Sequence, residues 1–183
     1  TAAGVGIRAE DDTALIGSIV INGGTFTLDT VGDGIYAAAA LTIQDGDFDI
    51  TCADGASNTA YNKDDANTPS AKGLKAEGTL TVNGGTFVLD TADDAIHGGA
   101  SVTILGGTFD ISSGDDGMHA DYIMTIGQKN GGSTTPDIYV RTCYEGIEGA
   151  AIHIWSGKIR VYSEDDGINA ANSDLSQYSF SVN

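Results

Sequence analysis

Positive charge is what this 183-residue chain has least of: eight lysines and arginines stand against 26 acids, a formal net charge of −18 at pH 7. Such a charge excludes nucleic acid as a natural partner and disfavours unaided binding to anionic membranes. No apolar run approaches the roughly 18 residues of a membrane span, so membrane insertion is not expected. The excess of acids itself requires a neutralising partner.

The pattern of an α-helix is also missing. Thr, Val, Ile and Gly are abundant and form helices poorly, and no 3.6-residue period persists. Instead, apolar residues alternate in short bursts such as Leu80 and Val82, then Phe87 and Leu89, separated by Asn-Gly-Gly and Asp-Asp corners. Period-two alternation between turn residues predicts short, half-buried strands.

These bursts return about every 22 residues. Each repeat contains a Phe or Ile that lies eight residues before the first residue of the next repeat. The spacing is longer only between Phe48 and Gly73. The predicted starts are Gly6, Gly34, Gly73, Ala95, Gly117, Gly146 and Gly167. The repeat predicts an all-β fold: a right-handed parallel β-helix, or solenoid, of about seven coils with three short strands per coil.

The register predicts two apolar ladders in the core. One contains Ile7, Ile35, Leu74, Ile96, Met118, Ile147 and Ile168, and the other Phe26, Phe48, Phe87, Phe109, Ile138 and Ile159. We expect a single domain over 1–183, with insertions near 11–17, 53–70 and 127–136 and a polar tail, 172–183, as a partial cap. The open ends of a solenoid favour end-to-end self-association.

Cysteine is scarce as well. Cys52 and Cys143 fall three units apart, which at ~4.8 Å per unit separates them by roughly 14 Å, beyond the ~7 Å Cα limit of a disulfide. Both are expected to be free thiols, so cysteine says nothing about the redox compartment.

Acids recur at the two positions before each unit start, from the fourth unit onward. The predicted metal ligands are Asp93, Asp94, Asp115, Asp116, Glu145, Asp165 and Asp166. Stacked at ~4.8 Å, like charges repel by on the order of 1 to 4 kcal/mol per pair, which favours a counter-ion, and calcium accepts such oxygen ligands. Alternatively, the Asp side chains only bond corner amides. Zinc is disfavoured because the cysteines are remote. The column stops at Ala71-Lys72, the predicted edge of the metal site.

A second column lies two residues after each unit start, beside the acids: Arg8, Tyr36, Lys75, His97, His119, Glu148 and Asn169. Its outward position makes a groove that could read an extended ligand, and we select Lys75, His97, His119, Glu148 and Asn169 as ligand-binding residues. The alternative is an ordinary surface ladder. His97 and His119 are expected to stack on adjacent units.

In this register the chain resembles the calcium-binding, pectate-lyase-like β-helix carbohydrate-binding proteins of biomass-degrading bacteria. The resemblance is carried by 70–77, 93–97, 113–121, 144–148 and 165–170, whereas the first 70 residues match only as repeats. It implies calcium on the acidic column, a secreted or cell-surface location, and binding of plant polysaccharide rather than cleavage. The upstream region that this family usually carries would lie outside this chain.

Three functions remain open. We favour a non-catalytic, calcium-dependent binding protein for an acidic glycan or a cellulose-like chain, in which calcium bridges the carboxylates of protein and sugar. A calcium-dependent lyase acting on polygalacturonate would use Lys75 or Arg8 as the base, but no second catalytic group converges there. A structural surface-layer or filament protein would use calcium only for stability.

Overall fold

Parallel β-strands form this protein. The computed structural model describes residues 4–10 and 16–171, which contain seventeen strands and no helix. The tail predicted as a cap, 172–183, and most of the first insertion, 11–15, lie outside the described residues. In the part that is described, no helix is long and apolar enough to cross a membrane.

The strands form three parallel ladders. The first contains β1 (Ile7–Ala9), β4 (Ile35–Ala37), β7 (Leu74–Ala76), β10 (Ile96–Gly98), β13 (Met118–Ile126), β15 (Ile147–Ile154) and β17 (Ile168–Asn169). The second contains β2 (Ser18–Ile21), β5 (Ala40–Ile43), β8 (Thr79–Val82) and β11 (Ser101–Ile104), followed by the later halves of β13 and β15. The third contains β3 (Thr25–Thr30), β6 (Asp47–Cys52), β9 (Thr86–Thr91), β12 (Thr108–Ser113), β14 (Asp137–Thr142) and β16 (Lys158–Val161). Because β13 belongs to two ladders, they merge into an 11-stranded sheet beside a 6-stranded one.

The predicted register of both ladders is confirmed, including Ile138 and Ile159, but Ile168 at the end of the first ladder is 49 % exposed and does not belong to the core. Each apolar residue of the first column pairs in register with its counterpart one repeat away, from Ile7 with Ile35 to Ile147 with Ile168. In the other column, four phenylalanine rings stack with centroids 4.6 to 4.9 Å apart and planes within 5° of parallel. Phe87 and Phe109 are fully buried, so side-chain stacking between repeats builds the core.

The stacked repeats approach closely at their starts. A Cβ on Gly117 would lie 2.6 Å from the carbonyl oxygen of Gly146 in the next repeat. At the Gly-Gly corner before the phenylalanine strand, Gly85 has a φ of 109°, which side chains rarely adopt. Glycine therefore allows the repeats to stack closely at Gly117 and the chain to turn tightly at Gly85.

Two repeats contain two strands instead of the predicted three. In β13 and β15 the first two strands are continuous, because the chain stays extended across Asp121-Tyr122 and Ala150-Ala151 instead of bending. The register between these strands shifts where Ala120 pairs with Gly149 but Ile123 pairs with Ala151. This bulge absorbs the one residue by which the sixth repeat is shorter.

Both cysteines are buried, free thiols. Burial raises the pKa of Cys52 to about 11, and it raises the pKa of Cys143 to about 11 as well. Neither thiol is therefore suited to act as a nucleophile or a metal ligand at neutral pH.

Candidate functional site

The predicted acid positions stack at one corner of the repeats, just before the first ladder. The amide of Tyr144 donates to the carbonyl of Asp115 at 2.7 Å, and the amide of Asp165 donates to the carbonyl of Tyr144 at 2.9 Å. Asp93, Asp94 and Asp116 are at most 5 % exposed. We call this set of residues, 93–94, 115–116, 144–145 and 165–166, the acid corner.

Some of the acids also serve as turn caps. Asp93 Oδ1 accepts the amide of Asp94 at 2.9 Å, and Asp94 Oδ1 accepts the amide of Asp116 at 3.2 Å. Asp33, which stands alone in its corner, accepts the amide of Lys72 at 2.9 Å and the hydroxyl of Ser70 at 2.6 Å. The alternative role that the sequence left open, bonding of corner amides, is present in the structure.

Lys72 supplies a positive charge to the buried end of the acid corner. Its Nζ lies 2.6 Å from Asp93 Oδ1 and 2.6 Å from Asp94 Oδ2. Burial favours the neutral amine, but the charges of Asp94 and Asp93 outweigh burial and hold the pKa of Lys72 above its ordinary value. Burial likewise acts against ionised Asp94, yet Lys72 and then His97 hold the pKa of that carboxyl well below its usual range.

The insertion at 53–70 packs against the same end. It leaves β6 through Ala53 and Asp54, which have φ values of 49° and 61°, and its Tyr61 hydroxyl lies 3.0 Å from Asp93 Oδ2. Lys63 Nζ lies 2.5 Å from Asp115 Oδ1. Burial, then the Asp93 charge, raises the pKa of Tyr61 above its ordinary value. The insertion thus covers and partly neutralises these acids.

Beside the acid corner, the outward column is in the predicted register, with Lys75, His97, His119, Glu148 and Asn169 on successive repeats. The imidazoles of His97 and His119 stack with centroids 5.1 Å apart. His97 Nδ1 lies 3.0 Å from Asp94 Oδ2, whereas His119 Nδ1 lies 2.9 Å from both Asp116 Oδ2 and Glu148 Oε2.

The carboxylates around His119 favour its protonated form. Burial alone would lower the pKa of His119, but hydrogen bonds to three carboxylates raise it to about 12. Burial, with added repulsion from Asp94, raises the pKa of Asp116 to about 7. Together these two effects outweigh the hydrogen bond from His119, which lowers that pKa. His119 therefore holds its second proton tightly.

The other end of the acid corner has no such cation. Among residues 4–10 and 16–171, no lysine or arginine forms an ion pair with Glu145, Asp165 or Asp166. Asn169 donates to Glu145 Oε2 at 2.9 Å. Burial, followed by the charges of Glu148, Asp165 and Asp166, raises the pKa of Glu145 despite that bond. We call Glu145, Asp165 and Asp166 the open acids.

Two cavities adjoin these columns. One of about 420 Å³ lies between the insertion and the acid corner and is lined by Lys63, Asp115, Tyr144 and Glu164, with Tyr144 49 % exposed. Another of about 330 Å³ lies near the first repeats, where Arg8 and Lys75 flank the ring of Tyr36. The ammonium of Lys75 is paired with Glu77 at 3.1 Å.

The structure therefore divides the predicted metal ligands into three groups. Asp93, Asp94 and Asp115 offer oxygens within 4.8 Å of one another, Asp116 faces His119 and Glu148, and the open acids lie at the far end. Sequence reasoning missed Lys63, Tyr61 and the role of Lys72. Only Lys72 left a signal, because it occupies an acid position of the repeat.

A family model of carbohydrate-binding domain-containing proteins matches residues 1–117, which is more than half of the chain. The chain belongs to this family. The match includes the first 70 residues, in which the sequence shows only the repeat pattern. No curated protein and no solved structure matches the chain.

Proposed function

We propose that this protein is a non-catalytic, calcium-dependent polysaccharide-binding protein, secreted by or held at the surface of a bacterium. Its repeats would form one domain over 1–183, a right-handed parallel β-helix of about seven coils similar in fold to pectate lyases. The observation that carries the proposal is the group of open acids, which form no ion pair with a lysine or arginine of the described residues and lie next to a cavity with an exposed tyrosine. The family, that of carbohydrate-binding domain-containing proteins, agrees with it.

The open acids offer the ligand type that calcium takes, although their oxygens are not gathered within 4.8 Å of one another as those of Asp93, Asp94 and Asp115 are. Three carboxylates on consecutive coils, with corner carbonyls between them, supply the hard oxygen ligands that calcium prefers. Burial first, and then repulsion from Glu148, Asp165 and Asp166, raises the pKa of Glu145, and a divalent cation would relieve the part that is due to repulsion. When bound, calcium would supply positive charge to a surface that is otherwise negative.

The buried acids fit calcium less well in this arrangement. Lys72 already lies between Asp93 and Asp94, and Lys63 contacts Asp115, so calcium would have to displace two ammonium groups. We therefore assign calcium first to Glu145, Asp165 and Asp166.

The cavity of about 420 Å³ offers a place for the sugar. Tyr144 gives an exposed aromatic face, while Lys63 and Glu164 provide polar contacts around it. A uronate carboxylate could share the calcium ion held by Glu145, the residue next to Tyr144. Equivalent positions on successive coils would then meet successive sugars of an extended chain.

Affinity electrophoresis tests this proposal. In gels that contain polygalacturonate, migration should slow with calcium and be restored by EDTA. The double variant Asp165→Asn with Asp166→Asn should lose the retardation. The matched control, Asp47→Asn with Asp49→Asn, removes two charges from exposed positions on β6 and should behave like the parent protein.

Two results would overturn the proposal. Unchanged mobility in polygalacturonate and in neutral plant glycans, with and without calcium, would end the claim of binding. A rise in ultraviolet absorbance from unsaturated uronate product, during incubation with polygalacturonate and calcium, would show that the protein is a lyase and not only a binding protein.

A further inference from the structure

The ring of His119 is held between carboxylates on both sides. Its Nδ1 lies 2.9 Å from Asp116 Oδ2 and 2.9 Å from Glu148 Oε2, while its Nε2 lies 3.4 Å from Asp121 Oδ1. Asp116 is 5 % exposed, and the side chains of His119 and Glu148 are 19 % and 16 % exposed.

The ligand atoms around His119 face one another at short distance. A neutral imidazole carries one N–H, and if that hydrogen points to Asp121, the Nδ1 lone pair faces two carboxylate oxygens at 2.9 Å. Three electron-rich atoms cannot stay so close without positive charge among them. The second proton on His119 supplies that charge when no metal is bound, and a metal ion among the three atoms would take its place.

The distances suit a metal ion of the zinc type. Nitrogen and oxygen ligands placed about 2.0 to 2.2 Å from a metal, at tetrahedral or octahedral angles, lie roughly 2.9 to 3.5 Å apart. The distances from His119 Nδ1 to the carboxylate oxygens of Asp116 and Glu148 fall within this range. The three ligand atoms lie within 4.8 Å of one another. The contact of Nε2 with Asp121 resembles the carboxylate partner that orients metal-bound histidines.

We propose that Asp116, His119 and Glu148 bind a transition-metal ion of the Zn²⁺ class at a site separate from the calcium ligands. The three residues come from two consecutive repeats, so the ion would bridge the stack between β13 and β15. Imidazole nitrogen and carboxylate oxygen are both ligand types that zinc takes, and three protein ligands leave a further position for water. Calcium prefers oxygen-only sites and competes poorly for an imidazole.

The sequence did not point to this site because the two columns were assigned separately, Asp116 to calcium and His119 with Glu148 to the groove. The side chains of His119 and Glu148 turn from the outward column toward the acid corner, so ligands from both columns meet. This inference does not rest on glycan binding.

Calorimetry on the metal-stripped full chain, with calcium saturating, tests the proposal. Zn²⁺ should bind at one equivalent, and Glu148→Gln and His119→Gln should each weaken binding by at least the about 10-fold to 100-fold that loss of an orienting partner costs. His153→Gln, which removes a histidine that stacks on Trp155 away from the cluster, should bind Zn²⁺ like the parent. Circular dichroism checks that each variant folds.

Loading with Cu²⁺ gives an independent readout of the ligand type. Electron paramagnetic resonance should show imidazole nitrogen coupling that is lost in His119→Gln and kept in His153→Gln. Absence of Zn²⁺ binding in calcium would overturn the proposal, as would equal binding by the parent and His119→Gln, or loss of binding in the His153→Gln control. Calcium-dependent glycan retardation is measured without zinc, so the two proposals can fail separately.

Discussion

The ammonium of Lys72 lies 2.6 Å from the carboxylate of Asp94, which holds the same position one repeat further along the stack. A residue at an acid position thus neutralises the acid that follows it. Lys72 is 15 % exposed and Asp94 3 % exposed in their side chains, so this pair is largely removed from water. Its energetics differ from those of a surface ion pair.

Replacing Lys72 with methionine should destabilise the protein strongly. The change keeps most of the side-chain volume but leaves Asp93 and Asp94 buried without their ammonium, and loss of one partner of a buried pair costs about 3 to 5 kcal/mol. Urea denaturation at neutral pH measures the difference. Lys158→Met, at a residue 63 % exposed, is the control and should cost less than about 1 kcal/mol. Equal effects at the two positions would contradict this account.

The cost of Lys72→Met should depend on pH in a known direction. The pKa of Asp94 is lowered in the folded protein, so the pair contributes fully above the unfolded value of about 3.9 and loses its contribution as pH falls through the lower folded value. The pKa of Lys72 is raised, so its contribution lasts up to its ordinary pKa and is lost only above it. In the variant the buried carboxylates lack the ammonium and take up protons at higher pH than in the parent, so the difference should be largest at neutral to mildly alkaline pH and shrink in acid. A difference that grows on acidification would contradict the pair.

Calcium should stabilise Lys72→Met more than it stabilises the parent protein. Without the ammonium, the oxygens of Asp93, Asp94 and Asp115 form an acidic group within 4.8 Å that keeps the contacts of Lys63 with Asp115 and of His97 with Asp94 but has lost its central cation. A ligand at 100 times its dissociation constant adds about 2.7 kcal/mol, which for a chain of this size raises the melting temperature by roughly 5 to 11 °C per bound ion. Melting curves in calcium and in EDTA make the comparison. A smaller shift in the variant than in the parent would show that Lys72 does not occupy a cation site.

The sequence predicted the ladders because the period alone decides which residues stack. Counting from Phe87 or Leu74 identifies the partner one repeat away, and backbone pairing requires nothing else. The contacts of Lys63 could not be predicted from the sequence, because 53–70 is an irregular segment without the repeat period. The ion pairs of Lys72 do not follow from the register, because the register gives backbone pairing and not the reach of a long side chain to the next repeat.

The thiols should resist modification in the folded state. Cys52 and Cys143 are 0 % and 2 % exposed, and burial raises the pKa of each to about 11, so little thiolate exists at pH 8. A chromogenic disulfide reagent should react slowly with the native protein and with two thiols per chain after denaturation. Fast native reaction would contradict the burial, and the absence of free thiols after denaturation would show a disulfide.

The phenylalanine stack should be the largest single contributor to core stability. Phe87 is fully buried between Phe48 and Phe109, so Phe87→Ala would leave a cavity and break two ring contacts, costing about 3 to 5 kcal/mol. Val88→Ala is the matched control, because Val88 is the next residue on β9 and is 49 % exposed on the opposite face, where the cost should stay below about 1 kcal/mol. Because each repeat packs only on its neighbours, removing the middle ring should also separate the unfolding of the two ends. Denaturation of Phe87→Ala should then show a broader transition than that of the control, whereas an equally sharp transition would mean that the stack remains cooperative without the ring.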